Sequence, residues 1–162
     1  MTGRDEAVTP GSPAVEVGVL LSREPDPIGE WLADGAAFDA GGADALWVDC
    51  GAEPEWDVLA LAAALAVVTF RARLVVVGVE EPAERTVDTV GRLSRGRLVL
   101  GEPEGWVRVP VPDGRAAWRA TCAEAAENGA RGVVVPADPR VLDILRNPDD
   151  PGDRHDLQLA QG

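Results

Sequence analysis

AAFDAGGADALWV (Ala36–Val48) and CAEAAENGARGVVV (Cys122–Val135) share one grammar. Each is the end of a helical pattern, a glycine-containing stop, a small residue and then an apolar run. Glycine ends a helix well because it accepts left-handed backbone angles at no steric cost. An unbroken apolar run suits a strand buried on both faces, as in a parallel sheet. The stretch is therefore the joint of a β/α repeat unit, and its recurrence sets the class as α/β.

Outward from these joints the chain alternates. VEVGVLL (Val15–Leu21), ALWVDC (Ala45–Cys50), RLVVVGV (Arg73–Val79), RLVLG (Arg97–Gly101), WVRVPVP (Trp106–Pro112) and RGVVVP (Arg131–Pro136) read as strands. Pro110 demotes the end of the fifth to an edge or an exit. Helices are expected from an Asp26 cap with Pro27 in the first turn to about Ala40, from Pro54 to Thr69 and from Pro82 to Leu93. Two more follow Asp113 and the Asp138–Pro139 cap. A final apolar stretch, LQLA (Leu157–Ala160), leaves the count at six or seven strands. Met1 to Pro13 reads as a disordered leader, and residues 14–162 as one domain.

Alternating strands and helices demand right-handed crossovers and a mostly parallel sheet. SREPDPIGE, after the first strand, holds one glycine and three acids, so a Gly-rich dinucleotide fingerprint is missing. A full β/α barrel takes eight strands and about 200 residues or more. With 162 residues, the expected fold is a shortened or incomplete β/α (TIM-like) barrel with mostly parallel strands and open edges.

Formal net charge is −13, and all 15 cations are arginine. Nucleic acid and anionic membranes are both repelled by such a surface, so neither is expected as a partner. The longest apolar run, VLALAAALAVVTF, is too short to span a bilayer and reads as a buried helix. The N-terminus lacks the apolar core of a signal peptide, and Cys50 and Cys122 match no metal or redox spacing. A cytoplasmic setting follows as the expectation.

Function in a β/α fold sits at the C-terminal ends of the strands. Here those ends hold Ser22, Arg23, Asp49, Cys50, Gly78 to Glu80, Gly101 to Glu104 and Ala137 to Arg140. Asp49, Glu80, Glu102, Glu104 and Asp138 form an acidic set that could raise one another's pKa or hold a metal; helix capping and solvation are the plainer explanation. Arg140, at the start of the last helix, marks an anion site at a helix N-terminus, although Asp138 could fill that cap itself. Cys50 has acidic neighbours and reads as an inert thiol. His155 is the single histidine, so a catalytic triad lacks its base and a zinc site its usual ligands.

AAFDAGGADALWVD, EPEWDVLALAAALAVVTFRARLVVV and TVDTVGRLSRGRLVLG, taken together over residues 14–106, resemble the N-terminal half of the bacterial luciferase-like monooxygenases. The resemblance implies a β/α barrel and reduced FMN or a deazaflavin bound at its C-terminal end. It also implies oxidoreductase chemistry that belongs to the flavin. Gly101, Gly105 and Trp106 match the remains of that family's glycine-rich loop after the fourth strand, with Glu102-Pro103-Glu104 filling its middle. Asp49, Cys50 and Gly51 stand where the family commonly carries histidine or another polar residue. Cofactor-binding residues are accordingly expected at Gly101, Gly105, Trp106 and Arg140, with no catalytic base and no metal assigned.

Two functions are in competition. One is a shortened flavin-binding protein, acting as an oxidoreductase or only as a holder of the flavin. The other is a structural or interaction protein that has lost the pocket and pairs as a homodimer or with a full-length relative. A metal-dependent hydrolase stands third, on the acidic rim alone.

Overall fold

The computed structural model describes residues 14–49 and 51–150. The expected leader, Cys50, the LQLA stretch and His155 lie outside the described residues. Six strands and five helices follow in strict order: β1 (Glu16–Leu20), α1 (Ile28–Gly41), β2 (Ala45–Asp49), α2 (Val58–Val68), β3 (Arg73–Val77) and α3 (Glu84–Leu93). Next come β4 (Leu98–Leu100), β5 (Trp106–Arg108), α4 (Arg115–Glu127), β6 (Gly132–Pro136) and α5 (Pro139–Arg146).

All strand pairs are parallel, in the order β4-β3-β2-β1-β6-β5. As a ring, this is 1-2-3-4-5-6 with one rung missing, between β4 and β5. The fold is α/β and barrel-like, with the sheet left unclosed. Its curl is visible in contacts that a flat sheet forbids. β5 lies three positions from β2, about 14 Å at normal strand spacing. Even so, the rings of Trp106 and Trp47 meet edge-on with centroids 5.7 Å apart, and Arg108 reaches the Asp49 carboxylate at 3.4 Å.

Period-two alternation divides the strand residues between two cores. Outward-facing Val19, Leu46, Leu74 and Val133 pack under the helices with Phe38, Leu65 and Trp118. Inside the curl Ala45, Trp47, Val75 and Val134 are buried together, and Trp106 packs against them. The two tryptophans fit because Gly18 and Gly132 face them without side chains. A Cβ on Gly18 would sit 2.6 Å from Trp47 Nε1, and one on Gly132 would sit 2.6 Å from the Trp106 ring. At the N-terminal end of the strands, Glu16 pairs with Arg73 and Arg131.

The helix joints behave as their sequences dictate. Gly42 ends α1 at φ 100°. The starts differ from expectation in three places. Pro27, and not Asp26, occupies the α1 cap, and its carbonyl takes the N–H groups of Glu30 and Trp31. α2 begins at Val58, since Asp57 accepts hydrogen bonds from the Leu59 and Ala60 N–H groups. Gly114 rather than Asp113 precedes α4. β5 stops at Arg108, short of Pro110, and is an edge strand.

Candidate functional site at the C-terminal mouth

The strands' C-terminal ends converge on Asp49, the last residue of β2 and only 9% exposed. Its Oδ1 accepts the Gly51 N–H at 3.0 Å. Its Oδ2 accepts from Arg23 at 3.1 Å and from both terminal nitrogens of Arg108 at 3.4 Å. Arg108 Nε lies 3.4 Å from Glu102, and its guanidinium sits over the Trp47 ring at 5.8 Å. Four charged side chains from β2, β5 and two loops thus balance to zero at the mouth of a strongly acidic protein.

Burial alone would raise the Asp49 pKa. The Gly51 N–H and the two arginines more than reverse it, and the carboxyl is held below its ordinary range. At Asp49 this sets aside the alternative of carboxylates raising one another, against which capping and solvation are the plainer explanation. Of the five acids, Asp49 and Glu102 share Arg108, while Asp138 caps α5. Glu80 and Glu104 are exposed. Among the described residues no group of three or more His, Cys, Asp or Glu side chains is arranged to hold a metal ion.

Beside the mouth, the β1–α1 and β2–α2 loops enclose a hollow of about 530 Å³. Glu24, Asp26, Glu53 and Glu55 line it with Arg23 and the exposed ring of Trp56.

The four residues expected to hold a flavin are not gathered into one cradle. Gly101, at φ 79°, follows β4 at the C-terminal end. Gly105 and Trp106 stand at the opposite end, where the Gly105 carbonyl accepts the Arg131 N–H and Trp106 pairs with Gly132. The five-residue link Gly101–Gly105 therefore runs down the open side of the sheet. Arg140 is bound by Asp138 at 3.0 and 3.2 Å, and Asp138 also takes the Arg140 N–H. The anion site expected at that helix start is occupied by its own cap.

Arg108 escaped sequence reading. The signal was present: in WVR, Arg108 shares the parity of Trp106, so both face the inside of the curl.

The class defined by fold and mouth is an unclosed β/α-barrel-like protein whose C-terminal opening carries a cluster of ion pairs. No family model, no curated protein and no solved structure matches the chain. No helix among the described residues is long and apolar enough to cross a membrane.

Proposed function

We propose that this chain is a non-catalytic interaction protein that works as a homodimer joined across its open side. The observation carrying this reading is the missing helix between β4 and β5. Every other consecutive pair of strands is bridged by a helix, whereas these two are joined by Gly101–Gly105 alone. Their outward side chains Leu100 and Val107 are each 41% exposed. Unpaired strand edges and uncovered apolar side chains cost stability in water and favour association.

The occupant that fits is a second copy. The hollow beside β4, about 650 Å³, carries Arg92 and Arg95 against one acid, Asp88, together with Leu98. The hollow beside β5, about 450 Å³, carries Glu124 and Val109. A two-fold axis sets the arginine-bearing hollow of each copy against the glutamate-bearing hollow of the other. Sedimentation velocity tests this. A dimer at micromolar concentration that becomes monomeric in the Leu100→Asp, Val107→Asp variant supports the reading. A monomer at hundreds of micromolar removes it.

The flavin reading is the second. Its support is the luciferase-like resemblance together with Arg23 and Arg108, two half-exposed cations at the end of the fold where ligands bind. The four expected binding residues do not form a cradle for FMN or a deazaflavin. A flavin absorption spectrum from gently purified protein would restore this reading over the first.

A further inference from the structure

Helix α2 separates two exposed surfaces of opposite character. Before its first turn stands Trp56, 41% exposed, in the hollow lined by Glu24, Asp26, Glu53 and Glu55. In its last turn stands Val67 and just beyond it Phe70, each 63% exposed, beside the exposed cation Arg71. Arg95 lies over the Phe70 ring at 5.9 Å, and Leu93, 43% exposed, precedes it at the end of α3. Of the three arginines between Val90 and Leu100, Arg95 is exposed here, Arg92 lies in the hollow beside β4, and Arg97 is turned inward onto the carbonyls of Ala66, Thr69 and Ala72. In a protein of net charge −13, this is a basic, apolar end facing away from an acidic, aromatic one.

The charges alone have a plain explanation, since acids at a helix start and cations at its end complement the helix dipole. That explanation does not cover Trp56, Val67, Phe70 and Leu93, large apolar groups left in water at both ends. A partner that buries them must carry carboxylates opposite the arginines and arginines opposite the carboxylates. A second copy, displaced along α2, offers both, and it sets the α2 dipoles head to tail. The helix is about 16 Å long, so the two surfaces are far enough apart to be engaged at once.

We infer that copies of this chain stack end to end, the Phe70–arginine end of one seated on the Trp56–carboxylate hollow of the next. The contact is heterologous, using different surfaces on the two partners, and it does not close on itself, so it extends. It goes beyond the open-side dimer and uses neither Leu100 nor Val107.

The test is sedimentation velocity on the full chain at tens to hundreds of micromolar. Two variants each spoil one end: Phe70→Glu with Arg71→Glu, and Glu53→Arg with Glu55→Arg. Wild type is expected to grow beyond a dimer, and each variant alone to stop at the dimer. In the Leu100→Asp, Val107→Asp background each variant alone is monomeric. An equimolar mixture of the two regains one intact contact and forms a one-to-one pair.

Wild type that never exceeds a dimer, or a mixture no larger than its components, overturns the stacking and leaves the open-side dimer standing. Loss of the dimer with stacking retained does the reverse. Should a charge-reversed variant fail to fold by circular dichroism, Phe70→Ser and Glu55→Gln take its place. Amide spectra of wild type then decide: concentration-dependent shifts at residues 53–56 and 67–71 together support stacking, and their absence overturns it.

Discussion

Asp39 and Arg97 grip the same turn from its two polar sides. The buried Asp39 carboxylate accepts the N–H groups of Phe70, Arg71 and Ala72 at 2.9, 2.9 and 2.6 Å. The Arg97 guanidinium donates to the carbonyls of Ala66, Thr69 and Ala72 and to the Thr69 hydroxyl. Between them they satisfy the α2 end and the entry to β3, binding α1 to the α3–β4 turn. Asp39→Ala strands three amides at once, and the expected loss is on the order of 3 kcal/mol. Asp39→Asn keeps one acceptor oxygen and should lose about half as much. Urea unfolding with an unchanged slope checks both, and a loss under about 1 kcal/mol for the alanine would contradict the clamp.

Acid should weaken the fold through the same carboxylate. Burial alone would raise the Asp39 pKa, but three N–H groups and the Arg97 charge bring it below the ordinary value. Asp49 shifts the same way, and Glu16 does so through Arg73 and Arg131. Since the folded values are depressed, the unfolded chain binds more protons in acid. The stabilisation is complete above the unfolded values, about 3.9 for Asp and 4.3 for Glu, and is lost as pH falls through the folded ones. Melting temperature is therefore expected to be flat near neutrality with respect to these groups and to fall below about pH 4. Asp39→Asn should flatten that fall, and an equally steep acid limb in the variant would count against this assignment.

The interior tryptophans predict an intolerance to a single methyl group. A Cβ on Gly132 would meet Trp106 ring carbons at 2.6 and 2.7 Å and the Glu16 carbonyl oxygen at 2.9 Å. Gly132→Ala should cost about 1–3 kcal/mol by overpacking. Trp106→Leu opens the space, so the double variant should be less destabilised than the sum of its parts. The carbonyl contact remains, so the recovery is partial. Strict additivity in thermal unfolding would show that the ring is not the obstacle.

Most of this architecture can be read in the sequence because each layer leaves its own period. The apolar runs at Val17–Leu21, Leu46–Val48, Leu74–Val77 and Gly132–Val135 are strands buried on both faces, and glycine stops such as Gly42 separate them from the helices. The incomplete ring was legible from strand count against length. The mouth was legible only in part. Asp49 was visible as a strand-end acid, and the Gly51 N–H that first lowers its pKa is local. The cations that add to it, Arg23 and then Arg108, come from another loop and from a strand distant in sequence, which nothing around Asp49 announces. Gly105 and Trp106 were misplaced for a related reason: a link as short as Gly101–Gly105 looks like a loop at one rim. Yet β4 and β5 are parallel, so the link must travel the length of the sheet and deliver Trp106 to the opposite end.

Arg108 gives the most direct probe of what keeps the edge strand curled inward. β5 has three residues and pairs only with β6, so its hold on the fold depends on what its inward side chains reach. Arg108 spans the interior to Asp49 and Trp47, but its side chain is 41% exposed and its ion pairs are 3.4 Å long. Pairs of that kind contribute below about 1 kcal/mol, so Arg108→Ala should barely shift global unfolding. Local opening is another matter. The Val109 N–H is bonded to the Val134 carbonyl at 2.8 Å, and it is released whenever β5 lifts away. Amide exchange at Val107 and Val109 should therefore accelerate in Arg108→Ala well before amides of β1 or β2 respond. Arg108→Lys keeps the charge and loses the planar fork, so it should fall between. Unchanged exchange at Val107 and Val109 would assign the curl to the two tryptophans alone.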